Sequence, residues 1–316
     1  MSAPSRSDPL AIHLTIDVGP ADAVLGRGNA IDADWSATIN GTQSLFDTLD
    51  RLADTLGSAV GSTWFVRADC LIQSQFGDRL AIVERFTALT GHRDGQSFEV
   101  GWMPQVYGPA SAAIDYDDLY ETHRELGAAG FRPTSVRMGN CYHDDRTMRT
   151  LADLGITFDS SALPGRTKTD SSWRLDWSVT PDAAFRPSAD DYRRPGEPAL
   201  AITEVPLTML PIRAEYDAAP LLRYVNPAMR PELLWPGLDS LVATCERLVL
   251  ITHPDEIQPR QHSDGHPLIA YSPAILTENL RRLTEGAGKL GRRLEFLPLR
   301  DLRLAAAEKW RGHTSL

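Results

Sequence analysis

Asp17 closes the aliphatic and β-branched run Leu14-Thr15-Ile16-Asp17-Val18, which breaks at Gly19. A carboxylate delivered to the C-terminal end of a strand stands where (β/α) barrels keep their chemistry, because the loops after the strands converge there. Later strand-like runs also end in polar residues. Arg137 follows Thr134-Ser135-Val136, and His253 follows the run from Leu248 to Thr252, within Thr252-His253-Pro254. An acid, a guanidinium and an imidazole meeting at one mouth would supply a general base, a positioning cation and a general acid. Plainer roles exist for each: Asp17 with Arg137 as a buried ion pair tying two strand ends, His253 as a turn residue bonded to backbone.

Around these lie residues suited to holding a small molecule. Trp102, Met103, Gln105 and Tyr107 stand at and beyond the end of a third run, and Tyr142 follows Arg137. Asp176 beside Trp177 reads as an acid next to an aromatic floor for a sugar or planar ring. Tyr107 and Tyr142 are also candidate donors to a developing oxyanion. Arg193, Arg194 and Arg223 carry guanidinium groups suited to bidentate recognition of an acidic substrate.

The elements that must position these residues follow from periodicity. Strand-like runs at 61–66, 97–102, 134–136, 156–158, 202–207, 248–252 and 294–297 alternate with helical spacing at 42–57, 79–90, 116–129, 144–154 and 273–290. Such alternation implies α/β architecture with a parallel sheet, closed or nearly so. Residues 20–41 read as a long loop, of a kind that is commonly functional. Residues 168–239, rich in Pro and Trp with few helical periods, read as an irregular insertion shaping one side of the cleft. One domain over 11–300 is expected, with a disordered tail at 1–10 and a C-terminal helix or tail at 301–316.

Composition narrows the function classes. The 316 residues are 42% hydrophobic and 23% charged, enough for one large core. A formal charge of −10, with Lys and Arg scattered, argues against nucleic acid or an anionic membrane as partner. No apolar run approaches the roughly 20 residues that span a bilayer, and the first residues lack a signal-peptide core, so a cytoplasmic protein is expected. Cys70, Cys141 and Cys245 have no metal-type spacing and suit reduced thiols. The expected partner is a small molecule, and association into a homo-oligomer is left open.

The order of these segments resembles the polysaccharide deacetylases with the NodB homology domain, carbohydrate esterase family 4. Thr15-Ile16-Asp17-Val18-Gly19 is similar to the family's Thr-Phe-Asp-Asp-Gly, and Ser62-Thr63-Trp64-Phe65-Val66 to its Ala-Thr-Phe-Phe-Val strand. Phe98-Glu99-Val100-Gly101, running on to Tyr107, resembles the motif that opens Gly-His-Glu-Ile-Gly and then supplies histidines. Val136-Arg137-Met138-Gly139 with Phe158-Asp159-Ser160-Ser161 resembles the third motif and the strand after it, and Ile251-Thr252-His253-Pro254 the last. The likeness runs from about residue 11 to 299.

The resemblance implies a distorted (β/α) barrel of the NodB type that removes an N-acetyl group from an amino sugar with a divalent metal, commonly zinc. Carried over by position, Asp17 is the base, Arg137 its support, and His253 the acid that protonates the leaving amine. The metal positions depart from the pattern: Val18 replaces the second acid, and Met103, Gln105 and Tyr107 stand in the histidine segment. Valine binds no cation, and thioether, carboxamide and phenol are poor replacements for imidazole. Relocated ligands would have to come from Asp22, Asp32, Asp34, Asp69, His143, Asp144 and Asp145.

No cofactor is therefore expected, with zinc or another divalent ion only if ligands have moved. A hydrolase of a non-peptide C–N bond in a small sugar-like or cyclic substrate follows, as in relatives resembling the metal-independent allantoinases. A strained or activated amide asks less of a site that cannot lower a water's pKa from about 15.7 to roughly 7. The alternative is a deacetylase-fold protein that has lost catalysis and binds a saccharide or a partner.

Overall fold

The first strand, β1 (Leu10–Val18), is buried along nearly its whole length, as a parallel strand covered on both faces should be. The computed structural model describes residues 9–19, 35–90, 98–105, 115–169, 174–259 and 266–303. After β1 come α1 (Trp35–Leu56), β2 (Ser62–Arg67), α2 (Cys70–Phe76), α3 (Ala81–Thr90), β3 (Phe98–Met103), α4 (Tyr116–Ala128), β4 (Ser135–Val136), α5 (Asp145–Asp153) and β5 (Phe158–Asp159). The second half holds β6 (Thr167–Thr169), β7 (Arg174–Asp176), β8 (Thr203–Glu204), β9 (Met209–Ile212), β10 (Leu221–Tyr224), α6 (Pro231–Thr244), β11 (Arg247–Thr252), α7 (Pro273–Lys289) and β12 (Leu294–Phe296).

The main sheet runs in the order β11-β1-β2-β3-β4-β5-β8, with every pairing parallel. β12 adds to it by pairing with Leu10–Ile12, just ahead of the Leu14–Val18 stretch that β2 takes. Irregular chain bridges toward β11 beyond β8: the Thr208 N–H donates to Val249 O at 3.0 Å, and the Ile251 N–H donates to Val225 O at 3.1 Å. The result is the expected distorted (β/α) barrel, with β6–β7 and β9–β10 as separate two-stranded hairpins.

Several boundaries differ from the sequence reading. Residues 35–41 belong to α1, not to a loop, because Thr and Gly in its first turns obscure the apolar period; residues 20–34 lie outside the described residues. Gly41 is required there, since a Cβ would overlap the Pro254 carbonyl, and α1 is thereby seated on the turn at His253. The stretch read as irregular contains the start of α6, which Pro231 opens and which buries Leu234, Leu238 and Val242; Pro236 inside it breaks the pattern. Leu10, expected in the tail, is a fully buried strand residue. The expected tails at 1–8 and 304–316 lie outside the described residues.

Strand alternation sorts side chains into an outer and an inner set. Outside, Trp64 of β2 stacks on Phe46 of α1 with ring centroids 4.1 Å apart, and Phe86 of α3 completes this layer. Inside, β2 presents Thr63, Phe65 and Arg67 at successive heights. The lowest level is polar: Glu99 accepts from Thr63 Oγ1 at 3.0 Å, Ser135 Oγ at 2.5 Å and the Arg300 N–H at 2.8 Å. Above it, the Phe65 ring lies 4.6 Å beneath the Arg137 guanidinium. Gly101, in register with Phe65, leaves room for that ring.

Gly101→Ala tests this layer. An ideal Cβ there would lie 2.7 Å from a Phe65 ring carbon and 2.9 Å from Ser135 O. Overpacking of this kind costs about 1–3 kcal/mol. Denaturant titration should register that loss, and an unchanged midpoint would mean that the interior is slack at this height.

Candidate active site

Arg137, immediately after β4, is fully buried with every nitrogen engaged. Its Nη1 donates to Asp17 Oδ1 and to Thr15 Oγ1, both at 2.8 Å. Its Nε donates to Ser160 O at 2.7 Å and its Nη2 to Ser160 Oγ at 2.9 Å. A buried guanidinium is tolerable only when its nitrogens find partners, and here each of the three does. Asp17 is thus oriented by Arg137 at the end of β1, where 10% of its side chain is exposed.

Beyond Arg137 the chain turns sharply. Asn140 and Cys141 take left-handed backbone, with φ of 54° and 56°, a region that non-glycine residues rarely enter. The turn aims the Cys141 carbonyl at Trp177 Nε1, which donates to it at 3.0 Å.

His253, half-buried after β11, meets the carboxylate of Glu256: Nδ1 and Oε1 lie 3.2 Å apart. Burial by itself would lower the imidazole, but Glu256, and then Asp17, outweigh it and raise its pKa from 6.5 to about 10. Glu256 is in turn fixed by donors on its Oε2: the His253 N–H at 2.8 Å, Asn226 Nδ2 at 2.8 Å and Thr252 Oγ1 at 3.0 Å. Burial would raise this carboxyl, yet the His253 charge and these bonds hold it below the ordinary range. Sequence reasoning missed Glu256 and Asn226. The acid three residues after His253, at capping-box spacing, was the available signal for Glu256; Asn226 had none.

Tyr224 of β10 belongs to the same surroundings. Burial first, then Glu256, Cys141 and Asp17, push its phenol upward, so it stays a neutral hydroxyl.

The other expected contacts divide. Met103 is half-buried beside Gly19, and Gln105 is buried against Gly139; Tyr107 lies outside the described residues. Trp102 faces outward, fully buried, with its Nε1 donating to Ala68 O at 2.9 Å. Trp177 is likewise core, edge-on to Tyr192. Neither aromatic ring is exposed. Asp176 is held by Arg193 at 2.6 Å, and the Tyr142 hydroxyl donates to Asp144 at 3.2 Å. Arg193 and Arg194 both pair with Asp191, and Arg223 with Asp217, so intramolecular acids already hold the guanidinium groups expected to meet a substrate.

The donors at the family's metal positions do not fit a metal ion. Val18 lines an apolar crevice with Ile39, Ile82, Phe86 and Leu89, in the layer between sheet and helices. The candidates for relocated ligands serve structure. Asp69 caps α2 through the Leu71 and Ile72 N–H groups, and Asp144 caps α5 through that of Thr147. His143 Nε2 meets Asp159 at 2.6 Å with both side chains fully buried, and Asp145 accepts from the Tyr192 N–H. Asp22, Asp32 and Asp34 lie outside the described residues. Among the described residues no cluster of three or more His, Cys, Asp or Glu could hold a metal. None of their helices is long and apolar enough to cross a membrane, and Cys70, Cys141 and Cys245 are free thiols.

No protein-family model and no curated protein matches the chain. Solved structures do. A protein from Mycobacterium smegmatis described as a polysaccharide deacetylase aligns with a TM-score of 0.54 and 16% identity, over 95% of this chain and 90% of that one. A protein from Parabacteroides distasonis described as a glycoside hydrolase/deacetylase aligns with a TM-score of 0.60 and 12% identity, over 94% of this chain and 70% of that one. This chain has the polysaccharide deacetylase fold, in a strongly divergent sequence.

The imidazole gives the direct test. By NMR, His253 should remain protonated through pH 8, and Glu256→Gln should return its titration toward 6.5. A folded value above the unfolded one contributes stability that is complete below pH 6.5 and lost as pH rises through about 10. The stability deficit of the variant should therefore shrink across that window. A deficit that grew toward high pH would mean that Glu256 does not hold the proton on His253.

Proposed function

We propose that this protein hydrolyses a non-peptide C–N bond in a small sugar-like or cyclic amide, without a metal ion, using Asp17 as general base and His253 as general acid. The observation that carries the reading is a carboxylate fixed by Arg137 near an imidazole that Glu256 keeps protonated. A positioned carboxylate beside a cationic imidazole supplies the proton acceptor and the proton donor that amide hydrolysis needs.

In the reaction, Asp17 takes a proton from water as the water oxygen attacks the carbonyl carbon. His253 gives its proton to the nitrogen as the C–N bond breaks, leaving a carboxylic acid and an amine. Asp17 then returns its proton to solvent and His253 regains one. Arg137 touches no reacting atom in this scheme; it positions Asp17. Tyr224 is a neutral hydroxyl available to the substrate. A ring amide or ureide suits such a site better than an unstrained acetamide, since the carbonyl must be attacked without Lewis-acid help.

A screen of cyclic amides, ureides and N-acetylated sugars tests the proposal. Asp17→Asn and His253→Ala should each lower kcat about 100- to 10,000-fold. Turnover should survive exhaustive chelation and persist on the alkaline side until pH nears 10, where His253 loses its proton. Activity that vanished with chelator and returned with zinc would overturn the metal-free scheme.

A further inference from the structure

Arg67 ends β2 one level above Phe65, on the inner face of the barrel. The assignment rests on three contacts. Phe65 faces inward under Arg137, and Arg67, two residues on, shares its side of the strand. Arg67 is in register with Met103 of β3. A Cβ on Gly19, two residues past Asp17, would lie 3.3 Å from Arg67 Cδ and 2.8 Å from Met103 Cε. Arg67, Met103 and Gly19 thus form the level directly over Asp17.

The Arg67 side chain is only 2% exposed, and its Nε donates to Asp69 at 2.6 Å. Asp69 spends its other oxygen on the first turn of α2, so the guanidinium is held from one edge. The far nitrogen, Nη2, is buried with no partner among the described residues. Native structures rarely leave such a donor unmet. Every Arg137 nitrogen, by contrast, has a partner.

We propose that Arg67 Nη2 is the donor to the substrate's carbonyl oxygen, stabilising it as it becomes an oxyanion. This rests on the amide-hydrolysis reading and adds to it the electrophile that the scheme lacks. A preorganised cationic donor in a water-poor site is well suited to charge that develops only during attack. The ligand class is an oxyanion on a tetrahedral centre. Lysine would not substitute: its three N–H groups share the one nitrogen that Asp69 would hold, whereas arginine serves Asp69 with Nε and reaches further with Nη2.

The test uses methylphosphonate, a stable tetrahedral anion, titrated into the full-length protein by calorimetry. Wild type should bind it. Arg67→Lys, which keeps the buried charge pair, should weaken binding roughly 10- to 100-fold. The double change Arg67→Met with Asp69→Asn removes both partners, keeps a capping side chain at 69, and should do the same. Asp17→Asn should abolish turnover yet bind the probe at least as well as wild type. Failure of wild type to bind, or equal binding by Arg67→Lys, would overturn the assignment and leave Nη2 to an ordered water. Probe binding that depends on Arg67 in a protein with no amide turnover would sustain the oxyanion site while removing the hydrolase reading.

Discussion

A single guanidinium ties the C-terminal ends of the barrel strands together. Leu250 of β11 accepts from Thr15 of β1, Thr15 accepts from Arg137 after β4, Arg137 donates to Ser160 after β5, and Ser160 donates to Val205 after β8. Three of these strands are very short: β4, β5 and β8 have two residues apiece. Ladder hydrogen bonds alone would hold such a sheet loosely. The side-chain chain replaces them, and it fixes Asp17 as a by-product. Removing one partner of a buried pair leaves an uncompensated charge, so structure and chemistry here depend on the same contact.

Much of this was legible in the sequence, for a physical reason. The barrel could be read because apolar strand runs and amphipathic helices alternate with ordinary spacing, and Asp17, Arg137 and His253 sit where strand ends must converge. Facing direction was harder to read. Trp102 and Met103 are adjacent, yet one packs outward against the helices while the other reaches the mouth, and only register decides which. Trp177, beside the exposed-looking Asp176, is fully buried. Arg193 and Arg223 looked like ligand groups, but acids nearby in sequence, Asp191 and Asp217, already hold them. Glu256 escaped notice because a carboxylate just after a histidine-proline turn resembles any solvated loop acid until burial gives it weight.

On the proposed metal-free reading, the region around Val18 keeps the fold while one reaction ingredient is given up. In place of a second acid there is a side chain of the hydrophobic layer, and the level above Asp17 is filled by Met103 and Arg67. A thioether and a tethered guanidinium occupy volume beside Gly19 and bring one positive charge with fixed direction. Positive charge at this height thus comes from a covalently attached group, which neither dissociates nor competes among metal ions.

Gly41 links this chemistry to the helical shell. Its bare Cα lets α1 press directly onto the Pro254 carbonyl, so the backbone that carries His253 has no slack on its outer side. The imidazole is therefore gauged from behind by a 22-residue helix as well as from the side by Glu256. That helix works as a jig: the spacing between His253 and Asp17 is set by how deeply α1 seats. A side chain of any size at this one position would act as a shim, backing the helix off and detuning the pair without touching either member of it.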